Sequence, residues 1–186
     1  MLNNLIAWLL RAIPFGTIIM YGSMGETITE KSGNLNLGVP GIMYLGAYAG
    51  YLSAYLYENN AANPSALVCV LLSLFCAFLA SALGGLIFSF LTITLRANQN
   101  VTGLALTTFG MGVANFGGKF LLNESGYSSA PFSNAAYAHK IIPGAESTGV
   151  FGQMFLSYGF LVYLAVILAV IMHFVLNKTR VGLNLR

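Results

Sequence analysis

Two long stretches without charged side chains constrain this chain more than any other feature of its sequence. Residues 66–95 contain no Asp, Glu, Lys or Arg over 30 positions, and residues 150–176 contain none over 27. Either stretch exceeds the roughly 20 apolar residues with which an α-helix crosses a bilayer. Of the 186 residues, 57% are hydrophobic and 7% are charged, whereas about a quarter of the residues in a soluble domain are charged. We therefore expect an integral membrane protein.

Apolar length and the positions of charge predict five spanning helices. They cover residues 5–24, 37–57, 66–95, 101–122 and 151–176. The third is longer than a straight crossing requires, so we expect it to tilt or to continue past the membrane surface. No internal repeat separates the helices into groups. The prediction is an all-α, polytopic transmembrane bundle in which residues 1–186 form a single domain.

The distribution of basic residues predicts the orientation of the bundle. A cytoplasmic C-terminus leaves five basic residues inside and two outside: Lys31, Arg96, Lys178, Arg180 and Arg186 against Lys119 and Lys140. This arrangement follows the positive-inside rule and makes the long loop at residues 123–149 extracellular. The N-terminus then lies outside, with Arg11 inside the first helix, and the nearby Pro14 and Gly16 predict that this helix is broken or starts late. Because Arg11 follows the first apolar stretch, a removable signal peptide is not expected.

Small residues recur at spacings that allow helix backbones to approach closely in lipid. They form two stripes and one GxxxG motif: Ala77, Ser81, Gly85 and Ser89; Gly110, Ala114 and Gly118; and Gly46 with Gly50. Such stripes occur in many polytopic proteins, so they indicate tight packing and assign no function. Cys69 and Cys76 lie one heptad apart inside an apolar stretch, without the spacing of a zinc or redox site, and are interpreted as packing residues.

The sequence offers no support for catalysis. It has no Asp, no Ser/His/acid or metal-ligand constellation, and no Gly-rich phosphate loop ending in Lys-Ser/Thr. The eight Lys and Arg residues are scattered, which argues against nucleic-acid binding. We expect no cofactor, no metal site and no enzymatic activity.

The most informative stretch joins the first two predicted helices. Residues 25–43 read GETITEKSGNLNLGVPGIM and place two carboxylates, one ammonium, two Asn, one Pro and four Gly there. Polar groups are costly at membrane depth, and Gly and Pro favour non-helical backbone that lines a cavity. We therefore predict a break in the helical structure near residues 34–41.

This stretch resembles the permeases of ATP-binding-cassette importers that include the ribose, branched-chain amino acid and nucleoside systems. The family pattern there is Glu-x-x-x-Glu-(Lys/Arg)-x-Gly-x-x-Asn-Leu-Gly-x-x-Gly-Ile/Met-Met, and Pro40 departs from it where the family usually has Glu. Residues 96–110, RANQNVTGLALTTFG, are similar to Ala-Asn-Gln-x-(Val/Ile)-(Ser/Thr)-Gly-x-Ala-Leu of the nucleoside branch, which depends on a basic membrane lipoprotein. Residues 179–186, TRVGLNLR, resemble the entry to the segment that engages the ATPase. The resemblance covers about the first three-fifths of a family member, so the chain is expected to be truncated at its C-terminus.

The resemblance implies a permease subunit that forms the path for a small polar solute, with a nucleoside as the first expectation. Uncharged amides and hydroxyls that both donate and accept suit such a solute. The candidate path residues are Asn34, Asn36, Gln99, Asn100, Thr102, Thr107, Phe109 and Asn115. Thr102, Thr107 and Thr108 with Asn115 give the fourth helix a polar side. Phe109 and Phe116 lie one heptad apart, a spacing that would let them stack on a base. Helix capping explains Asn34 and Asn100 equally well, and aromatics at helical spacing often face lipid.

Glu26, Glu30 and Lys31 form a polar junction that either gates the path or ends the first helix at the interface. The implied partners are a cytoplasmic ATP-binding-cassette ATPase, a second permease subunit, an extracytoplasmic solute-binding lipoprotein and the lipid bilayer, in the cytoplasmic membrane of a bacterium. Sugar or branched-chain amino acid import stays open, as does a purely structural membrane subunit. An ion-coupled secondary transporter would also use broken helices, but it needs an acidic residue deep in a helix, and none of the five Glu clearly lies there.

Overall fold

The computed structural model describes residues 2–124, 152 and 155–184. These residues include six α-helices with defined bounds and one π-helical turn. The helices are α1 (Leu2–Lys31), α2 (Val39–Asn60), α3 (Ala66–Ser89), α4 (Gln99–Glu124), α5 (Phe160–Lys178) and α6 (Arg180–Asn184), and the π-helical turn Phe90–Thr94 continues α3. This confirms the all-α expectation. The loop at residues 125–150 lies outside the described residues, so its predicted location stays a prediction.

Two helices are long and apolar enough to cross a membrane by length and composition. They are Ala66–Thr94, of 29 residues, and Phe160–Lys178, of 19 residues. The other three predicted spans correspond to helices of 30, 22 and 26 residues, and their crossing of the membrane stays a prediction. The last span begins at residue 160, because Gly159 precedes the first helical turn in an extended conformation.

The described residues divide into two compact units. The first unit contains residues 2–33 and 155–184, and the second contains residues 34–124. In the first unit α1 packs against α5, where the Tyr21 hydroxyl donates a hydrogen bond to the Leu161 carbonyl oxygen at 2.8 Å. The single domain that the sequence predicts for residues 1–186 stays a prediction.

The first helix is continuous, so the predicted break or late start near Pro14 is wrong. Pro14 lies inside α1, where it removes one backbone donor. A longer unwound segment would leave many more polar groups without partners in a membrane. The Thr17 hydroxyl also donates to the Ile13 carbonyl oxygen at 2.8 Å, which satisfies a polar side chain within the helix itself.

The C-terminal helix α6 folds back on the end of α5. Thr179 adopts an extended conformation between them, and its hydroxyl donates to the Val175 carbonyl oxygen at 2.6 Å. Gly182 is buried, and a Cβ atom there would collide with the backbone of Leu176. The turn therefore depends on a residue without a side chain at position 182.

In the second unit, α2 and α3 form an antiparallel hairpin whose seam consists of small residues. A Cβ atom on Gly46 would collide with the Ser81 hydroxyl, and one on Gly50 would lie 3.2 Å from Ala77 Cβ. The Ser81 hydroxyl donates to the Ile42 carbonyl oxygen at 3.4 Å. The GxxxG motif and the first half of the α3 stripe therefore pack as the sequence predicts.

The hairpin also explains the two cysteines. Cys69 is 1% exposed, and its thiol donates to a Glu58 carboxylate oxygen at 3.5 Å. Cys76 is half-buried, and the two thiols are not bonded to each other. Both occupy packing positions in the hairpin.

Candidate functional site

The predicted break between the first two helices is confirmed. α1 ends at Lys31 and α2 begins at Val39, so residues 32–38 leave the helical path. The break begins two residues before the predicted range of 34–41 and ends three residues before the end of that range. It ends earlier because Pro40 falls in the first turn of α2, where a missing N–H costs nothing. Gly33 has a φ of +84°, a left-handed conformation that glycine adopts without a Cβ penalty.

Residues 34–38, which we call the junction loop, lie against the first turns of α4. The Leu35 N–H donates to Gln99 Oε1 at 3.0 Å, and Gln99 Nε2 donates to Asn34 Oδ1 at 2.8 Å. One amide therefore holds both a backbone group and a side chain of the loop. The two motifs that resemble the permease family are adjacent in space, although more than 60 residues separate them in the chain.

Further along the junction loop, the backbone of the loop itself lies against α4. Asn36 is 5% exposed, and its Oδ1 accepts a hydrogen bond from the Gly38 N–H at 2.9 Å. The Thr107 hydroxyl donates to the Leu37 carbonyl oxygen at 2.8 Å. A Cβ atom on Gly103 would lie 2.8 Å from the Gly38 nitrogen, so only glycine at position 103 admits the loop this closely.

The junction loop continues into a seam between α2 and α4, which run parallel. A Cβ atom on Gly110 would collide with the backbone of Gly41, and one on Gly117 would collide with the Tyr48 ring. With Gly103, these α4 glycines repeat every seven residues, which keeps one side of α4 facing α2. A Cβ atom on Gly118 would have no neighbour within 4 Å, so the predicted stripe of every fourth residue has left the seam by its third member.

Asn98 caps the first turn of α4. Its Oδ1 accepts hydrogen bonds from the Asn100 N–H at 3.0 Å and the Val101 N–H at 3.3 Å, the geometry of an N-cap. Asn100, which the sequence offered as a cap, is an exposed residue inside the helix. Arg96, two residues before the cap, has a φ of +53°, an uncommon conformation for a residue with a Cβ atom.

The predicted polar side of α4 is not one surface. Thr102 is 8% exposed, whereas Asn115 is exposed. Thr107 binds the junction loop, and the Thr108 hydroxyl donates to the Leu104 carbonyl oxygen of its own helix at 2.6 Å. The four polar residues thus have four different environments.

A cavity of about 410 Å³ lies between α4 and the end of α3 with its π-helical turn. Its lining is almost wholly apolar: Ile87, Leu91, Val101, Thr102, Ala105, Leu106 and Phe109. The Thr102 side chain is the one polar member of that lining. Phe109 is 57% exposed at this cavity, and Phe116 stacks on Phe120 with ring centroids 6.4 Å apart. A hydrophilic solute would find few hydrogen-bonding partners in the cavity.

Glu26, Glu30 and Lys31 lie at the C-terminal end of α1, in the first unit. Glu26 and Lys31 are half-buried, and Glu30 is exposed. The Thr29 hydroxyl donates to the Glu26 carbonyl oxygen at 2.8 Å, and the Gly33 N–H donates to the Glu30 carbonyl oxygen at 3.0 Å. These hydrogen bonds satisfy carbonyl groups at the C-terminal end of α1. A gating role for the three side chains stays a prediction.

Sequence reasoning missed the cap at Asn98 and the close backbone contacts of the glycines at 38, 41, 103 and 117. A signal for the cap was present, because an Asn followed within three residues by a long apolar segment favours an N-cap. The heptad of glycines from residue 103 was also visible, but a search at every fourth residue does not detect it. The partners Gly38 and Gly41 could not have been paired with it from one sequence.

Comparison with known proteins places the whole chain within one family. The model of the branched-chain amino acid transport system / permease component matches residues 6–186. A guanosine ABC transporter permease protein of Bacillus subtilis is 34% identical over 177 residues, which are 94% of this chain and 53% of that protein. A nucleoside ABC transporter permease protein of Lactococcus lactis is 27% identical over 185 residues, which are 99% of this chain and 56% of that protein.

A third relative is named for a different solute. A putative glucose ABC transporter permease protein of Haloferax volcanii is 28% identical over 175 residues, which are 93% of this chain and 48% of that protein. The chain spans about half the length of the curated relatives it matches. No solved structure matches it.

Proposed function

Because this chain belongs to the family of branched-chain amino acid transport system permease components, we propose that it forms part of the translocation path of an ATP-driven importer for nucleosides. The chain is a multi-pass protein of the cytoplasmic membrane. The observation that carries the solute class is the 34% identity with a guanosine permease over 94% of the chain. The junction loop and the start of α4 carry the family resemblance. Hydrogen bonds from Gln99 and Thr107 hold these two segments together.

A permease of this kind works with other proteins. We propose a cytoplasmic ATP-binding-cassette ATPase that hydrolyses ATP, a second permease subunit that completes the path, and an extracytoplasmic lipoprotein that delivers the solute. Each partner would favour a different state of the permease, and binding energy shifts the population between states only through such differences. ATP hydrolysis on the separate subunit would supply the drive for net import.

The path residues remain a proposal, and their contacts divide them into two groups. Asn34, Asn36, Gln99 and Thr107 hold the junction loop, so we propose that they shape the path by fixing its wall. Asn100, Phe109 and Asn115 are exposed, and Thr102 lies at the apolar cavity. Asn100 and Asn115 are proposed to contact the solute during its passage, and a contact at Thr102 and Phe109 stays a prediction.

Uptake of labelled guanosine by cells that lack other nucleoside importers tests the proposal. Expression of the complete importer should restore uptake, and a lysine variant in the phosphate loop of the ATPase should abolish it. Competition by unlabelled guanosine but not by glucose or leucine is expected. Competition by glucose alone would instead support the sugar importer to which the Haloferax relative points.

An ionophore distinguishes the proposal from an ion-coupled transporter. Collapse of the ion gradients should leave uptake intact while ATP is maintained, because ATP-driven import does not need them. Uptake that disappears with the gradient and survives in the ATPase variant would overturn the proposed function.

A further inference from the structure

One side of α4 carries polar and small residues that neither α2 nor α3 covers. Thr108, Gly112, Asn115 and Lys119 follow one another at intervals of four, three and four residues, so they lie on one helical face. We call this face the α4 stripe. Its four residues are exposed, and a Cβ atom on Gly112 would have no neighbour within 4 Å.

The neighbouring faces of α4 have different chemistry. One face carries the glycine seam against α2, which buries Gly103, Gly110 and Gly117. Another exposes Phe116 and Phe120, which are 74% and 55% exposed and suit contact with lipid. The α4 stripe combines exposure with the polar side chains of Thr108, Asn115 and Lys119, so lipid is an unfavourable neighbour for it.

Asn115 is the residue that needs a polar neighbour most. Its amide makes no hydrogen bond with any residue that the structure describes, whereas the Thr108 hydroxyl is satisfied by the Leu104 carbonyl oxygen of its own helix. At a rise of 1.5 Å per residue, Asn115 lies about 13 Å from the C-terminal end of α4, which is well inside the hydrocarbon layer if α4 crosses the membrane. A primary amide that faces lipid at that depth would lose all its hydrogen bonds with water.

Lys119 extends the same face by one turn. It lies outside the last turn of α4, so interaction with the helix dipole, which falls off within that turn, does not account for its position. Among the residues whose side chains the structure describes, which exclude 121–124, it has no salt bridge or hydrogen-bond partner. A lysine on the wall of an aqueous path would instead repel cations and admit neutral or anionic solutes.

We infer that the α4 stripe lines the aqueous part of the translocation path, with Asn115 as a hydrogen-bonding contact for a neutral polar solute and Lys119 as a barrier to cations. The identity of the solute as a nucleoside rests on the proposed function, but the aqueous exposure of the stripe does not. The Asn115 amide can donate to a ring nitrogen or ribose oxygen and accept from a hydroxyl or amino group.

Cysteine accessibility in the assembled importer tests the inference. The background replaces the native thiols by Cys69→Ser, which keeps the donor to Glu58, and Cys76→Ala. Single variants N115C and K119C report on the stripe, and F116C and F120C are matched controls at nearly the same depth. Membranes are treated with a charged, membrane-impermeant methanethiosulfonate from either side, with and without ATP and vanadate. In at least one state the stripe cysteines should react at least about tenfold faster than the phenylalanine controls, and guanosine should slow modification of N115C several-fold.

The sign of the reagent tests the role of Lys119 separately. Because the lysine lies about 6 Å along the helix from Asn115, it should make a sulfonate reagent react with N115C about tenfold faster than a trimethylammonium reagent of similar size. Adding Lys119→Gln should remove most of that preference. An unchanged preference would overturn the cation barrier.

Other outcomes refute the inference in distinguishable ways. Stripe cysteines that stay unmodified in every state would mean that another helix covers the face, and equal modification of F116C would mean that α4 is exposed on all sides. Either result overturns the inference, as does the absence of guanosine protection for the solute contact at Asn115. If N115C accumulates poorly, T108C and G112C report on the same face. Failure of the cysteine-replaced background to import guanosine, when the native protein also fails, would refute the proposed solute and leave the accessibility pattern to decide the path.

Discussion

Adding one methyl group at Gly110 is expected to separate α2 from α4. A Cβ atom there would lie 2.7 Å from the Gly41 carbonyl carbon and 2.8 Å from Gly41 Cα. Carbon atoms prefer a separation of at least roughly 3.5 Å, so both contacts are too short by about 0.7 Å or more. The neighbouring atoms belong to the Gly41 backbone, which cannot rotate away as a side chain can. If α2 and α4 separate by about that distance to relieve the overlap, each dispersion contact along the seam loses about a quarter to a half of its energy.

We expect Gly110→Ala to be less stable than Gly118→Ala by about 1–3 kcal/mol, the usual cost of overpacking. Gly118 is the matched control, because it lies on the same helix with no neighbour within 4 Å of its Cβ position. Both variants gain the same helix propensity from alanine, about 0.5–1 kcal/mol, so their difference isolates the collision. Gly117→Ala should fall between them, since it meets the Tyr48 ring, which can move.

The assay is a titration of the purified protein in mixed micelles with a denaturing detergent, followed by far-ultraviolet circular dichroism. The Gly110 variant should unfold at a lower detergent fraction than the Gly118 variant. Equal midpoints for the two would show that α2 and α4 do not touch through Gly41, and the parallel seam would then be wrong.

Three further predictions concern the junction and the orientation of the chain. Gln99→Leu should cost about 1–3 kcal/mol in the same titration because it removes both bonds to the junction loop, and Gln99→Glu, which keeps the acceptor for Leu35, should recover part of that loss; equal stability of all three proteins would refute the clamp. Asn98→Ala should lower stability by about 0.5–2 kcal/mol through loss of the cap, with Asn98→Asp close to the native value; an unchanged alanine variant would contradict the capping geometry. A cysteine introduced by S133C, in the loop outside the described residues, should react with an impermeant reagent applied to intact cells, and labelling only after lysis would reverse the predicted orientation.

The helical segments and the break between α1 and α2 were predictable because both depend on local sequence. A stretch of 30 residues without charge at 66–95 admits few structures besides a helix in a membrane, since every backbone group must be paired internally. Gly33 and Gly38 lie in the break itself, and Pro40 favours the start of a new helix because it occupies the first turn of α2. The error at Pro14 has the same physical basis, because a single proline removes only one backbone bond and the rest of the helix persists.

The arrangement of α4 was less predictable because it depends on neighbours distant in sequence. Gly110 and Gly118 look equivalent in the chain, yet one meets Gly41 and the other meets nothing within 4 Å. Likewise, the hydroxyls of Thr107 and Thr108 are adjacent in sequence, but only the first reaches the junction loop. Packing across the unit decides which face of a helix meets which partner. A single sequence does not show these contacts between distant residues.

The π-helical turn at the end of α3 makes this segment a point where chain length can change. The Leu95 N–H binds the Phe90 carbonyl oxygen, five residues back, and the Ala97 N–H binds the Leu91 carbonyl oxygen, six residues back. A π-helical turn accommodates one residue more than an α-helical turn over a similar path. Loss of one residue here converts the wide turn into an ordinary one without disturbing α2 or the glycines of α4. Among homologous permeases, single-residue insertions and deletions should therefore concentrate at this turn and be rare in the seam that follows it.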